Sequence, residues 1–197
     1  MDTLIFATNN QHKVDEIKAI EGLGYEILSL REAGIDIDIP EPFDTLEENA
    51  AEKSKVVHQL TRMNCFSEDT GLEVAALNGE PGVKSARYAG EGRSFEKNID
   101  KLLTRLQGKE NREAQFRAVI SLVLNGIEYK FEGICKGIIL AYIRGDGGFG
   151  YDPVFVPEGS TLSFAEMDLT EKNKYSHRKK AVDKMAEFLK THITAER

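Results

Sequence analysis

The sequence predicts a mixed α/β fold, in which helices flank a sheet that combines parallel and antiparallel strands. Near both ends of the chain, short apolar runs typical of strands alternate with stretches whose apolar residues recur at helical spacing. The middle of the chain holds two β-rich runs around Asn125-Gly126, a strong signal for a tight antiparallel hairpin. Alternation at the ends and a hairpin in the middle together indicate a mixed sheet, α/β or α+β in class.

The first half of the chain predicts two strands and two helices. "LIFA" (residues 4–7) predicts a buried strand, "TNNQHK" a polar turn, "KVDEIKAI" a helix, and "YEIL" a second short strand. The clearest helix lies within residues 44–63, where Thr45 and Glu48 form a capping box. Its apolar-facing stripe consists of Leu46, Ala50, Lys53 and Val57.

The second half predicts further strands around one more helix, and a helix at the end. "NCFSEDTGLEVAAL" predicts a strand, a polar break and a second strand, and "SFEKNIDKLLTRL" predicts an amphipathic helix. The inward residues of that helix are expected to be Phe95, Ile99, Leu102 and Leu106. After the hairpin, "GIILAYI" and "PVFVP" predict two more strands. The last helix is expected to bury Val182, Met185, Phe188 and Leu189.

Composition limits the possible partners of the protein. The 197 residues suffice for one sizeable core, and the net charge of −7 argues against a basic surface that tracks nucleic acid. A single nucleotide stays possible, because a few lysines can bind a triphosphate.

Cys65 and Cys135 lie far apart without C-x-x-C spacing, so neither zinc nor a disulfide framework is expected. Without a long apolar run or a signal-like start, we expect a cytoplasmic protein that binds no membrane.

The stretch "GDGGFGYDP" (residues 145–153) contains G-x-G-x-x-G, the fingerprint of dinucleotide-binding folds. That fingerprint must lead into a helix that receives a pyrophosphate, but Pro153 and Pro157 exclude a helix here. Two interpretations remain: a glycine-rich turn between strands, or a slot for a flat polar ring built from Phe149, Tyr151 and Asp152.

The turn "TNNQHK" is a better candidate for a phosphate site. It joins a strand to a helix, so main-chain amides and the positive end of the helix dipole point outward. Asn10 is expected to cap the helix, and Lys13 supplies a mobile positive charge. The alternative is an ordinary capped turn with an exposed lysine.

Two acidic segments contain carboxylates that need an explanation. In "SEDTG", Glu68 and Asp69 are adjacent, and neighbouring carboxylates repel each other unless solvent or a cation neutralises them. The segment predicts either a divalent metal with a polarised water or a plain acidic turn. In "PEPFD", prolines on both sides of Glu41 fix its direction, and an ordinary surface loop is the alternative. Lys53 either reaches solvent or neutralises a buried anion.

The segment "EKNKYSHRKKA" places positive residues where a helix dipole disfavours them. Ser176 is expected to cap the last helix, so His177 and Arg178 lie in its first turn. An anion or a hydrogen-bond acceptor nearby would explain them, and a solvated charge run is the alternative.

Five ordered motifs resemble those of one family, the inosine triphosphate pyrophosphatases or Ham1-like proteins, over almost the whole chain. The motifs are "FATNNQHK", "SEDTGL", "PGVKSARY", "GGFGYDPVF" and "FAEMDLTEKNKYSHR". In the first motif, Asn9 stands where the family commonly has glycine. The resemblance implies hydrolysis of ITP, dITP or XTP to the monophosphate and pyrophosphate, with Mg²⁺, in a homodimer. It also implies one domain over residues 1–197, a two-lobed fold around a long twisted sheet, and an active site in the cleft.

The resemblance also implies roles for individual residues. The residues expected to hold the triphosphate are Thr8, Asn10, Lys13, Lys53 and Lys172. Asn9, which lies between Thr8 and Asn10 in the turn "TNNQHK", is also expected to bind the substrate. Glu41 and Asp69 belong to the metal site, with Asp69 as the catalytic base, and Thr70 contacts the substrate. The residues expected around the sugar and base are Phe149, Gly150, Tyr151, Asp152, His177 and Arg178. The role of Glu68 stays open.

Three other functions compete with this one. A Maf-like pyrophosphatase would act on pyrimidine or modified nucleotides, but "YSHR" favours the inosine-type family. A nucleotide-binding regulator would not need Asp69 as a water-activating base. An NAD oxidoreductase is disfavoured, because the helix its fingerprint needs is excluded.

Overall fold

The computed structural model describes residues 2–195, which form one mixed sheet flanked by helices. The strands are β1 (Thr3–Phe6), β2 (Glu26–Ser29), β3 (Cys65–Val74), β4 (Pro81–Gly82), β5 (Glu113–Leu124), β6 (Ile127–Ile139) and β7 (Phe155–Pro157). The helices are α1 (Gln11–Lys18), α2 (Leu46–Thr61), α3 (Phe95–Arg105), α4 (Leu169–Asn173) and α5 (His177–Ala195).

Both parallel and antiparallel pairs occur in the sheet, so the predicted mixed α/β class is confirmed. The strand order is β2-β1-β3-β5-β6-β7, and β4 pairs with β3 outside this path. β1 runs parallel to β2 and β3, whereas β3–β4 and β6–β7 are antiparallel. The predicted hairpin turn is confirmed: Asn125 and Gly126 have φ of 52° and 82°, and two consecutive positive values are typical of a type I′ turn.

The described chain divides into two compact units. The first unit comprises residues 2–69, Ala118–Gly133 and 178–195. In its core, the rings of Phe6 and Phe66 stack at 4.6 Å between centroids, and α5 buries Val182, Met185 and Leu189 as predicted. Phe188, which was expected to be buried with them, is only partly buried. The prediction of one domain over residues 1–197 stays a prediction.

The second unit comprises Thr70–Arg117 and Ile134–His177. Ile99, Leu102 and Leu106 are buried in its core, as the sequence predicts for α3. Phe95 was expected to be buried with them but is 41% exposed, since it lies at the first position of the helix, beside the Ser94 cap. No helix among residues 2–195 is long and apolar enough to cross a membrane.

Two strand predictions are wrong because each places an interruption inside what is one continuous strand. "SEDTG" is not a break between strands but lies within β3, because partners inside the protein bind its polar side chains. Residues 137–139 of "GIILAYI" are not a separate strand but the end of β6. Gly137 permits this continuation beside β7, since a Cβ there would collide with the Val156 carbonyl.

The segment "PGVKSARY" is a structural support of the second unit. Ser85 Oγ accepts from the Leu72 amide at 2.8 Å and donates to the Gly82 carbonyl at 2.5 Å. Asn98, which is 2% exposed, donates to the Ala86 carbonyl at 3.0 Å and accepts from the Ala89 amide at 2.7 Å. Asn98 therefore attaches α3 to this segment.

We expect Asn98→Ala to lower the free energy of unfolding by about 2 kcal/mol, because it removes the hydrogen bonds that this buried side chain makes to the main chain of Ser85, Ala86 and Ala89. Urea denaturation monitored by circular dichroism measures the change. The control is Asn111→Ala, which removes the same side chain at an exposed site where it accepts one bond from Glu113. Equal losses in the two variants would contradict a special role for Asn98.

Candidate active site

The turn after β1 has the capped geometry that the sequence predicts. Asn10 is the N-cap of α1, and its side chain accepts from the Lys13 amide at 3.3 Å. Thr8 Oγ1 accepts from the Asn10 amide at 3.1 Å. The exposed Asn9 donates from its side chain to the Ile37 carbonyl at 2.8 Å, which attaches the turn to the segment that leads to Glu41. The turn therefore presents the start of α1, with the positive end of its dipole.

Glu68 and Asp69 lie side by side in the middle of β3, not at a strand end. Successive side chains of a strand point to opposite faces, so the two carboxylates are directed to different neighbours. Glu68 is 1% exposed and contacts Arg178, whereas Asp69 is 7% exposed and contacts Lys53. Because each carboxylate has its own cation, the pair can stay adjacent inside the protein.

Lys53 joins the two carboxylates that the resemblance assigns to a metal. Its ammonium lies 2.7 Å from Glu41 Oε1 and 3.2 Å from Asp69 Oδ1, and it donates to the Glu68 carbonyl at 3.0 Å. Burial raises the pKa of the Asp69 carboxyl, and the charges of Lys53 and Lys13 offset part of that effect. Burial opposes the charge on Lys53, but Asp69 and Glu41 outweigh it and raise the pKa of Lys53. Of the two alternatives, Lys53 neutralises a buried anion, the carboxylate of Asp69.

Arg178 is the centre of a second charged group in the first unit. It is 2% exposed, donates from Nε to Glu68 Oε2 at 2.5 Å, and forms a further ion pair with Glu16. Lys13 completes the group, with its ammonium 3.4 Å from Glu68 Oε1. Burial lowers the pKa of Lys13, against the attraction of Glu68. The acceptors that explain positive charge at the start of α5 are therefore Glu68 and Glu16.

The carboxylates of the first unit fit the way in which proteins bind Mg²⁺. Glu41 and Asp69 lie within 3.2 Å of one ammonium nitrogen and supply oxygen ligands. Mg²⁺ is usually held by one or two carboxylates together with substrate phosphates and water. Residues 2–195 contain no group of three or more His, Cys, Asp or Glu side chains arranged to hold a metal. A metal at Glu41 and Asp69 would thus need oxygens of the substrate as further ligands.

Asp152 fixes the glycine-rich loop of the second unit. Its Oδ2 accepts from the Phe149 amide at 3.0 Å and from Lys172 Nζ at 2.6 Å. A Cβ on Gly148 would collide with this carboxylate, and one on Gly145 would lie 2.6 Å from the Ala165 carbonyl carbon. Because these two glycines have no side chain, the loop can pack closely against Asp152 and Ala165. A 3-10 turn (Asp152–Val154) and β7 follow, as the prolines predict, so no dinucleotide-type helix begins here.

The remaining predicted residues of the second unit differ in exposure. Tyr151 is 4% exposed and donates from its hydroxyl to the Ser85 carbonyl at 2.7 Å. Phe149, Gly150 and Thr70 are partly exposed, whereas Lys172 and His177 are each 3% exposed. Burial raises the pKa of the Tyr151 hydroxyl, which stays protonated and acts as a donor. Tyr151 thus joins the glycine-rich loop to the Ser85 segment.

Comparison with known proteins identifies the family. The sequence matches the Ham1 family over residues 4–188. The chain belongs to the Ham1 family. A dITP/XTP pyrophosphatase of Porphyromonas gingivalis is 51% identical over 190 residues, which cover 96% of this chain and 98% of that protein. A dITP/XTP pyrophosphatase of Flavobacterium psychrophilum is 49% identical over 187 residues, which cover 95% and 98%.

Solved structures of Ham1 proteins agree with the fold. The Ham1 protein of Staphylococcus aureus superposes with a TM-score of 0.87 at 38% identity and covers 97% of this chain and 100% of its own. A protein from Mycobacterium abscessus titled nucleoside-triphosphatase / dITP/XTP pyrophosphatase superposes with a TM-score of 0.74 at 35% identity, covering 93% and 98%. The mixed α/β architecture is therefore shared with solved members of the Ham1 family.

Sequence reasoning missed three residues that contact the predicted Ham1 site. Glu16 pairs with Arg178, although in sequence it is one of several charged residues in a polar helix. Phe116 stacks on the His177 ring at 4.7 Å between centroids, and Phe164 lies 5.1 Å from the Lys172 ammonium. Phe164 had one possible signal, since it directly precedes the "AEMDL" segment that resembles the family motif.

We expect Arg178→Leu to lower the free energy of unfolding by about 3–5 kcal/mol, because it removes the cation that the buried carboxylates of Glu68 and Glu16 share. Guanidinium denaturation of both proteins measures the difference. The matched control is Arg105→Leu, whose 3.2 Å ion pair with Glu80 is 47% exposed on each side and is worth less than about 1 kcal/mol. Similar losses in the two variants would contradict the role given to Arg178.

Proposed function

We propose that this protein is a nucleoside triphosphate pyrophosphatase that hydrolyses ITP, dITP and XTP to the monophosphate and pyrophosphate. One observation carries the proposal: in a Ham1 family chain, the buried Lys53 ammonium holds the carboxylates of Glu41 and Asp69 together. Relatives of this chain carry the name dITP/XTP pyrophosphatase. A carboxylate pair beside buried lysines suits metal-assisted hydrolysis of a phosphoanhydride better than simple nucleotide binding.

Release of pyrophosphate requires a water molecule to attack the α-phosphorus. Asp69 accepts the proton of that water, since it is the buried carboxylate beside Lys53 and Lys13. Lys13, Lys53 and Lys172 neutralise the phosphates and the departing pyrophosphate. Thr8, Asn9 and Asn10 form the turn that presents main-chain amides to the phosphate oxygens. Thr70 follows Asp69 in β3 and contacts the substrate.

Mg²⁺ would be held by Glu41 and Asp69 and would neutralise charge on the phosphate oxygens during the displacement. The residues of the chain perform the remaining tasks. Lys53 keeps the two carboxylates together, and its charge limits their mutual repulsion. Glu68 is held by Arg178 and Lys13, so we assign it to the positioning of Lys13 and not to the metal.

Selection of inosine or xanthine depends on the 6-keto oxygen, where adenine carries an amino group. Hydrogen-bond donors directed at O6 would face another donor in ATP, which costs about 1–3 kcal/mol for each bond lost. The residues proposed around the sugar and base are Phe149, Gly150, Tyr151, Asp152, His177 and Arg178. Arg178 donates to Glu68 and Glu16, and its guanidinium carries five N–H donors, so readout of O6 by Arg178 would occur beside these bonds or in exchange for one of them. Main-chain amides of the glycine-rich loop are the other source of donors.

One assay tests the function as a whole. The protein is incubated with ITP, dTTP or ATP in the presence of Mg²⁺, and the products are separated. We expect pyrophosphate and IMP from ITP, with dTTP and ATP turned over far more slowly. Preference for dTTP would favour a Maf-like activity, and binding without turnover would favour a regulator. Orthophosphate as the direct product would contradict the proposal.

We expect Asp69→Asn to lower kcat by at least ~100-fold while ITP still binds, because the amide cannot accept the proton of the attacking water. Steady-state release of pyrophosphate and equilibrium binding of ITP measure the two effects. Asp183→Asn, which changes a carboxylate that is 51% exposed on α5, is the control. Turnover by Asp69→Asn within tenfold of the unsubstituted protein would exclude Asp69 as the base.

We expect Arg178→Ala to reduce the preference for ITP over ATP, because it removes a donor proposed for O6. The measured quantity is the ratio of kcat/KM for the two substrates, which does not change with the fraction of folded protein. An unchanged ratio would remove Arg178 from base readout and leave the loop amides as donors.

The homodimer and the cytoplasmic location are parts of the proposed function.

A further inference from the structure

The second unit contains a cluster of aromatic rings that includes one of the proposed base-binding residues. Phe164 is fully buried, with ring centroids 6.0 Å from Phe116, 5.2 Å from Phe155 and 6.5 Å from His177. Phe116 and His177 are nearly parallel, with 13° between their planes. Offset or stacked rings at such distances hold one another in orientation. The His177 imidazole is thus fixed by two phenylalanines.

The same ring of Phe164 also contacts the ammonium of Lys172. Lys172 Nζ lies 5.1 Å from the centroid of Phe164 and 5.3 Å from that of Phe149, within cation–π range of both rings. Asp152 Oδ2 lies 2.6 Å from the same nitrogen. Two residues proposed to bind the substrate, Lys172 and His177, therefore share Phe164 as a contact.

The turn that carries Phe164 is itself attached to the glycine-rich loop. A capping box between Ser163 and Glu166 closes the turn, and Ser163 Oγ donates to the Arg144 carbonyl at 2.7 Å. The Gly147 amide donates to the Ala165 carbonyl at 3.1 Å. The backbone of Gly145 lies so near Ala165 that a Cβ would not fit. Loop and turn are thus fixed to each other by main-chain contacts.

We propose that Phe164 is a positioning residue for base selection, with Phe116 as its support. This inference rests on the proposed function. Phe164 is buried and its ring contacts Lys172 and His177, two residues proposed to bind the substrate. It therefore acts by fixing the His177 imidazole and the Lys172 ammonium. Leucine would fill much of the same volume but has no π face for either partner. The ring, and not only the apolar bulk, is what the proposal requires at this position.

The test compares Phe164→Leu with Phe155→Leu. Phe155 is a fully buried ring of the same cluster whose ring contacts are with Phe116 and Phe164, so its loss gives a matched packing defect. We expect Phe164→Leu to raise the KM for ITP about tenfold and to lower the ITP-to-ATP ratio of kcat/KM by a similar factor. In Phe155→Leu we expect kcat/KM to fall equally for both substrates, so that the ratio stays within about twofold of the unsubstituted protein.

Phe116→Leu removes the ring that stacks on His177 and should lower the same ratio, with a smaller effect because Lys172 keeps its contact with Phe164. If Phe164→Leu does not fold, Phe164→Met replaces it, since methionine fills the site more flexibly without a ring. Equal ratios in Phe164→Leu and Phe155→Leu would overturn the positioning role while leaving the proposed function intact. Absence of pyrophosphate release from ITP by the unsubstituted protein would instead contradict the proposed function.

Discussion

The arrangement of charges in the first unit depends on the pleat of β3. Two adjacent carboxylates inside a protein repel each other strongly in a low dielectric, and burial of either without a cation costs several kcal/mol. The alternation of the strand separates them by direction, so that Glu68 contacts Arg178 and Asp69 contacts Lys53. Each carboxylate is then neutralised from its own side. This separation also gives the carboxylates different tasks, one structural and one proposed for catalysis.

Positions elsewhere in the first unit follow from these two contacts. Lys53 must lie on the inward face of α2, which explains a lysine among Leu46, Ala50 and Val57. Arg178 must lie at the start of α5, where the helix dipole alone disfavours a cation, because Glu68 and Glu16 accept its bonds there. Two features that contradict simple sequence patterns therefore have one cause, the buried carboxylates of β3.

The sequence predicts those parts of the fold that local patterns determine. The Asn125-Gly126 turn, the Thr45 and Asn10 caps and the apolar face of α5 depend on residues near one another in the chain, and all are confirmed. The continuous strand through "SEDTG" was not predicted, because its polar side chains bind residues 16 to 110 positions away. The short helix α4 also escaped prediction, since five residues carry too little periodic pattern.

In the glycine-rich loop, too, local sequence patterns do not predict which groups the residues contact. The sequence of the loop matches a dinucleotide fingerprint, but the prolines after it exclude the helix that this fingerprint needs. What the glycines accommodate could not be read from the sequence, because the groups they approach belong to Asp152 and Ala165. The roles of Phe116 and Phe164 depend on ring contacts across the core, for which composition and spacing give no signal.

Charge balance supplies a physical reason for a divalent cation in the proposed reaction. The charged group of the first unit contains the carboxylates of Glu16, Glu41, Glu68 and Asp69 and the cations of Lys13, Lys53 and Arg178. With all of them ionised, the carboxylates outnumber the cations, so the group has no excess positive charge. In the second unit, Lys172 is likewise balanced by Asp152. In the proposed reaction, a triphosphate would therefore meet lysines whose charge is already compensated, and a divalent cation bound with it would reduce the remaining repulsion from the carboxylates.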